Sequence, residues 1–94
     1  MELKQYKQRN FYTVDLGKGR KALISYSTLV GIQGGGIAFL TPYKYSRTTS
    51  IQQTMYVNEN NLTRVAMPES GWQAMIKVSD DILDLRKFFQ IRLY

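Results

Sequence analysis

Four short β-prone segments separated by glycine-rich turns fill residues 10 to 41, and they constrain the fold more than any other feature. Residues 11 to 16 (FYTVDL) and 22 to 26 (ALISY) are rich in β-branched and aromatic side chains. Residues 28 to 33 (TLVGIQ) and 37 to 41 (IAFLT) form a second pair of the same kind. The four segments predict an antiparallel meander of about four strands.

Glycines mark the turns of this meander. The sequence GKGR at residues 17 to 20 predicts a hairpin turn, because glycine adopts the positive φ that tight turns need. It lacks the glycine spacing and the Lys-Ser/Thr pair of a phosphate-binding P-loop. The run GGG at residues 34 to 36 predicts a second hairpin turn.

A short helix is predicted after the meander. Pro42 ends the fourth strand because it lacks the N–H that a central ladder requires. Residues 51 to 57 (IQQTMYV) have helical spacing, and Thr49 and Ser50 each begin a Ser/Thr-x-x-Gln capping box at its start. The asparagine-rich residues 58 to 61 are expected to end this helix.

A second hairpin and a C-terminal helix complete the prediction. Residues 62 to 67 and 72 to 78 flank a Pro-x-x-Gly turn, and Trp72 is interpreted as a core anchor rather than a stacking platform. From Ser79 onward, an N-cap residue, early aspartates and later cations predict a helix. Its apolar face is expected to pack on the sheet, and includes Ile82, Leu85, Phe88 or Phe89, and Leu93. The fold class is therefore α+β: a small antiparallel β-meander with a short central helix and a C-terminal helix packed on the sheet.

The residue inventory argues against an enzyme. A chain of 94 residues predicts one domain spanning residues 1 to 94, and it contains neither histidine nor cysteine. Ser/His/Asp and Cys/His catalysis are therefore excluded, and the seven carboxylates are scattered. Asp80 and Asp84 could share a cation, but carboxylates beside an N-cap favour the helix dipole. We expect no catalytic residues, no metal site and no cofactor.

The net charge of +6 is concentrated near the N-terminus and predicts an anionic partner. Residues 1 to 9 are polar and basic enough for a flexible arm that folds on binding. No apolar run is long enough to span a bilayer, and the N-terminal residues lack the apolar core of a secretory signal, so we expect no membrane role. Six cations are candidates for binding phosphate: Lys4, Lys7, Arg9, Lys18, Arg20 and Lys21.

The stretch YKYSRTTS at residues 43 to 50 concentrates rings, cations and hydroxyls. Its hydroxyl residues predict a helix start, while its rings and cations are of the types that most often anchor protein interfaces. We therefore expect five side chains to contact a protein partner: Tyr26, Tyr43, Lys44, Tyr45 and Arg47.

Two motifs resemble short proteins encoded by tailed bacteriophages and prophages, a family of unknown function. SYSTLV matches the pattern Ser-Tyr-x-Thr-x-Val, and YSRTTS matches Tyr-Ser-x-Thr-Thr-Ser leading into a helix. The matching residues are Ser25, Tyr26, Thr28, Val30, the glycines at 34 to 36, Tyr45, Ser46, Thr48, Thr49 and Ser50. The resemblance covers residues 21 to 57 and implies a viral or mobile-element origin, with action in the cytoplasm of an infected host cell.

The chain departs from that pattern just after the second motif. Many of those proteins place His or Arg there, where this chain has Ile51-Gln52-Gln53, so a role for that basic side chain does not carry over.

Three functions follow as expectations. The first is a non-enzymatic binder of a host protein with an acidic surface, such as a defence protein that it inhibits. The second is nucleic-acid binding, with the basic N-terminal half on phosphates and tyrosines stacking on bases. The third is an oligomeric virion accessory protein that pairs through a strand edge, for which a homodimer would be the simplest form.

Overall fold

The computed structural model describes residues 1–7 and 9–94, which form a single six-stranded sheet and three helices. The strands are β1 (Leu3–Gln5), β2 (Phe11–Gly17), β3 (Arg20–Ser25), β4 (Thr28–Gly34), β5 (Ile37–Leu40) and β6 (Thr63–Ala66). The helices are α1 (Arg47–Glu59), α2 (Glu69–Val78) and α3 (Asp80–Phe89). The strands lie in the sheet in the order in which they occur in the chain.

The predicted antiparallel meander is confirmed. Strands β2 to β5 pair antiparallel with their sequence neighbours, and glycine-containing turns join β2 to β3 and β4 to β5. In the first turn, Lys18 and Gly19 have φ of 54° and 75°. Positive φ at both central residues is the geometry of a type I′ hairpin, which matches the twist of the flanking strands.

The predicted hairpin of residues 62 to 67 and 72 to 78 is wrong, although its first arm does contain a strand, β6. Strand β6 pairs with β5 in parallel, and Ile37 lies opposite Thr63. A parallel pair needs a crossover connection, and α1 supplies it between β5 and β6. The predicted second arm, residues 72 to 78, belongs to helix α2 instead.

Helix α2 begins where a turn was expected, because its first residues suit a helix start. Pro68 occupies the N-cap position, where its missing N–H removes no intrahelical bond, and Glu69 places an anion in the first turn, where the helix dipole favours it. Trp72 and Ile76 then fall on one helical face, and both are buried. The interpretation of Trp72 as a core anchor is confirmed.

The sheet has one apolar core on each face, because successive strand residues point to opposite sides. On one face, sheet residues pack against buried side chains of α2 and α3. On the other face, a separate set packs against Tyr56 and Val57 of α1. The expected packing of the C-terminal helix is confirmed: Ile82 and Leu85 are buried, Phe89 packs on the core, and Phe88 is 60% exposed. Leu93 also packs on the core, but it lies beyond the end of α3 rather than on its face.

Part of the expected N-terminal arm is a strand. Lys4 lies opposite Thr13 in the β1–β2 ladder, and the N–H of Tyr6 donates to the carbonyl of Phe11 at 2.8 Å. The Tyr6 ring packs against the rings of Phe11 and Tyr56. Gln8, which falls in the same predicted arm, lies outside the described residues.

The start of the central helix is corrected. Helix α1 begins at Arg47, and its N-cap is Ser46, whose Oγ accepts a hydrogen bond from the N–H of Thr49 at 3.2 Å. Thr49 and Ser50, the predicted capping residues, lie inside the helix. The expected end is confirmed, because α1 stops at Glu59 and is capped by Asn60.

Candidate functional site

Three segments that are far apart in sequence meet at one end of the sheet. They are the turn between β3 and β4, the linker from β5 to α1, and the residues that follow α3. Two adjoining depressions lie between them and share Thr28, Tyr45 and Arg92. We call this surface the tyrosine groove and define it by Thr28, Arg92 and four rings: Tyr26, Tyr43, Tyr45 and Tyr94.

Tyr26 occupies the β3–β4 turn in a conformation that large side chains disfavour. Its φ is 56°, in the left-handed region where glycine and asparagine are common and bulky residues are rare. The Tyr26 N–H donates to the carbonyl of Asn10 at 2.7 Å, which holds the turn in place. The side chain is 54% exposed, so core packing gives no reason for a ring at this position.

Tyr45 and Tyr94 form one wall of the groove. Their ring centroids lie 6.1 Å apart, with the planes tilted by 39°. The indole N–H of Trp72 donates to the backbone oxygen of Tyr94 at 2.5 Å, so a buried core residue holds the main chain that carries this ring. Burial is the main factor that raises the pKa of the Tyr45 hydroxyl above its ordinary value, so this hydroxyl is neutral at physiological pH.

Tyr43 is tied to α2 through its hydroxyl group. The hydroxyl donates to Glu69 at 3.2 Å and accepts from the side-chain amide of Gln73 at 3.0 Å. Its backbone N–H donates to the Thr41 hydroxyl at 3.2 Å. The ring is therefore fixed at the edge of the groove before any partner arrives.

Arg92 lies where the two depressions meet. Its backbone N–H donates to the carbonyl of Ser27 at 2.7 Å, and its carbonyl accepts from the backbone N–H of Leu29 at 3.0 Å. Within residues 1–7 and 9–94, no Asp or Glu side chain forms an ion pair with Arg92, and none lines either depression. Arg92 therefore places a positive charge among the aromatic rings, and the Glu69 carboxylate reaches the rim of the groove through its hydrogen bond with Tyr43.

Sequence reasoning missed Arg92 and Tyr94. The signal available was the alternation of Ile91 and Leu93 with Arg92 and Tyr94 beyond the last helix, which is typical of an extended segment with one buried side. Their place in the groove depends on pairing with the start of β4, and no local pattern predicts that contact.

A buried polar network supports the groove from below. The hydroxyls of Ser25 and Thr49 lie 3.0 Å apart, and Ser25 also donates to the side-chain oxygen of Gln52 at 2.6 Å. Gln52 in turn donates to the carbonyl of Arg9 at 3.1 Å, and Gln53 donates to that of Val30 at 3.0 Å. These bonds dock α1 on the sheet through polar side chains, and they fix Ser25 directly beside Tyr26.

The expected protein-contact residues divide into three groups. Tyr26, Tyr43 and Tyr45 come together in the groove. Lys44 is exposed and lines a neighbouring depression that also includes Arg64. Arg47 lies apart, in the first turn of α1, beside the exposed side chain of Ile51.

The six cations proposed for phosphate binding do not share one surface. The Lys7 ammonium lies 3.3 Å from the Glu59 carboxylate of α1, whereas Arg20 pairs with Asp81 of α3, on the other face of the sheet. Hydrogen bonds from Tyr6 and Lys7 lower the pKa of Glu59. The other four are at least partly exposed: Lys4 on β1, Arg9 before β2, Lys18 in the β2–β3 turn and Lys21 on β3.

Comparison of the chain with protein-family models, curated proteins and solved structures finds no match. In the described part of the chain, no helix combines the length and the apolar character needed to cross a bilayer.

Proposed function

We propose that this chain is a small phage or mobile-element accessory protein that acts without catalysis, by binding a host protein through the tyrosine groove. A defence protein that it inhibits is the partner we propose. The observation that carries the proposal is the convergence of four tyrosines around Arg92, which lacks a carboxylate partner within the described residues.

The residue types support binding to a protein. Tyrosine and arginine are enriched among the residues that contribute most to interface affinity. Their side chains lose less entropy on binding when they are already fixed, and here hydrogen bonds hold Tyr43 and the backbone of Tyr94. A standard interface buries about 800 Å² of each partner. The chain exposes 5699 Å² in total, so an interface of that size centred on the groove would cover only a small part of its surface.

Nucleic acid is the second candidate, and one observation favours it. Exposed rings beside an arginine can also stack bases and contact phosphates. A titration of labelled single-stranded DNA at several salt concentrations tests this. Micromolar binding that weakens steeply with salt and depends on Tyr45 would place nucleic acid first.

The test of the protein-binding proposal is affinity capture from a bacterial host lysate with matched variants. Tyr45→Ala removes a groove ring, and Phe88→Ala removes an exposed ring of α3 outside the groove. We expect one host protein whose recovery falls about tenfold with Tyr45→Ala, the effect of losing about 1.4 kcal/mol of binding, and is unchanged with Phe88→Ala. Recovery that responds equally to both variants would contradict the proposal.

A further inference from the structure

The residues that follow α3 form a short extended segment beside β4. Strand β5 runs antiparallel to β4 only as far as the pair Gly31 and Leu40. Beyond that point Arg92 occupies the neighbouring position, in a parallel bridge with Thr28. The sheet therefore continues past β5 through the C-terminal segment.

On the side of this segment that faces away from β4, Leu93 is unpaired, whereas the N–H of Ile91 donates to the carbonyl of Leu85 at 3.3 Å. In extended backbone, the N–H and C=O groups of successive residues point to opposite sides. Those of Arg92 face β4, so those of Leu93 face away from it. In the described structure, neither backbone group of Leu93 has a hydrogen-bond partner, and Leu93 lines the groove.

The unpaired backbone of Leu93, a residue that lines the groove, suits the addition of an extended peptide. Strand addition uses main-chain hydrogen bonds for affinity and alternate side chains for specificity. The rings of Tyr45 and Tyr94 stand beside this edge, and aromatic walls favour apolar side chains of an added strand.

The positive side chains in and beside the groove favour a peptide that carries carboxylates. Arg92 has no Asp or Glu side chain as an ion-pair partner among the described residues. A third depression, next to the groove, is lined by the cations Lys44 and Arg64. The chain as a whole carries a net charge of +6. Carboxylates of a bound segment would form charge-assisted hydrogen bonds with the guanidinium group.

We propose that the tyrosine groove binds an extended acidic segment of the partner protein, which adds as a strand to Leu93 and places a carboxylate on Arg92. This inference rests on the proposed function and specifies the partner's form and charge.

The experiment is selection from a displayed library of random linear peptides, followed by binding assays with the best peptide. We expect enriched peptides to contain Asp or Glu between apolar residues. Arg92→Gln should weaken binding about tenfold or more, the effect expected for a lost charge-assisted contact. Arg86→Gln is the matched control, because Arg86 is an exposed arginine on α3 outside the groove.

The backbone contact is tested separately. We expect the Leu93 amide signal to shift and its hydrogen exchange to slow when the peptide binds. N-methylation of the peptide at a residue that donates to Leu93 should abolish binding, while N-methylation of its neighbour should not.

The outcomes separate the inference from the proposed function. One outcome is that peptide affinity depends on Tyr45 and Arg92 while N-methylation has no effect at any position and the Leu93 amide signal does not change. In that case strand addition is wrong, and binding by the groove stands. If no peptide is enriched, or enriched peptides ignore Arg92, the inference fails, and host-protein capture with Tyr45→Ala still decides the proposed function.

Discussion

The left-handed backbone conformation of Tyr26 supports the proposed function at the scale of a single residue. Its left-handed φ costs on the order of 1 kcal/mol or more for a side chain with a Cβ, and the structure shows no packing that compensates. A strained, exposed aromatic residue is a reason to look for a functional contact. The residue type made Tyr26 a candidate in the sequence, but its strain is visible only in the folded chain.

Replacing Tyr26 by asparagine should separate stability from binding. Asparagine tolerates the left-handed region, so we expect Tyr26→Asn to leave the free energy of unfolding unchanged or to raise it by up to about 1 kcal/mol. Host-protein capture should fall at the same time. Urea unfolding measures the first effect, and a loss of stability above about 1 kcal/mol would show that the ring supports the fold.

Elements were predictable where their signals were local. Alternation and glycine turns predicted strands β2 to β5, and early aspartates with later cations predicted α3. A strand was predicted where β6 lies, but its pairing was wrong because residues 68 to 71 fit both a hairpin turn and a helix start. Parallel pairing of β6 with β5 depends on the crossover through α1, which is a long-range contact.

The start of α1 can be tested by comparing two serines. Ser46→Ala removes the oxygen that accepts from the Thr49 N–H, so we expect a loss of about 1 kcal/mol in the free energy of unfolding. Ser50→Ala is the control, because Ser50 is exposed within the helix and its hydroxyl makes a long hydrogen bond, 3.3 Å, to a carbonyl that also accepts from the Ser50 N–H. Its effect should stay within about 0.5 kcal/mol. A larger loss for Ser50→Ala than for Ser46→Ala in denaturant unfolding would place the cap where the sequence had suggested.

At the scale of the whole molecule, the free energy of unfolding should fall at alkaline pH because several tyrosine hydroxyls are more stable neutral in the folded state. Burial, with a smaller contribution from the nearby Tyr6, raises the pKa of Tyr56 to about 12. Burial also raises the pKa values of Tyr6 and Tyr45. Because the folded state favours the neutral hydroxyl, this stabilisation is complete below the unfolded pKa of about 10 and is lost as pH rises further.

We therefore expect the denaturant midpoint to fall between about pH 10 and 12. Tyr56→Phe removes the hydroxyl that donates to Gln33, so it should lower stability at neutral pH and flatten the alkaline fall. Tyrosinate absorbance, followed for both proteins, should show that the tyrosine that ionises at the highest pH is missing from Tyr56→Phe. An alkaline slope unchanged by Tyr56→Phe would contradict this assignment.

The sequence predicted some residues of the candidate site but not how the folded chain assembles them. Residue types indicated Tyr26, Tyr43 and Tyr45, and the structure brings these three rings together. Arg92 and Tyr94 join them only because the segment after α3 pairs with the start of β4. The sequence contains each residue but not the long-range pairing that assembles them.

The most direct test of the groove is photo-crosslinking in bacterial host cells. A photoreactive phenylalanine analogue at position 45 lies in the groove, and the same analogue at position 88 is exposed on α3. We predict that position 45 crosslinks to one host protein and that position 88 does not. Equal crosslinking at both positions, or crosslinks from position 45 only to nucleic acid, would contradict the proposed function.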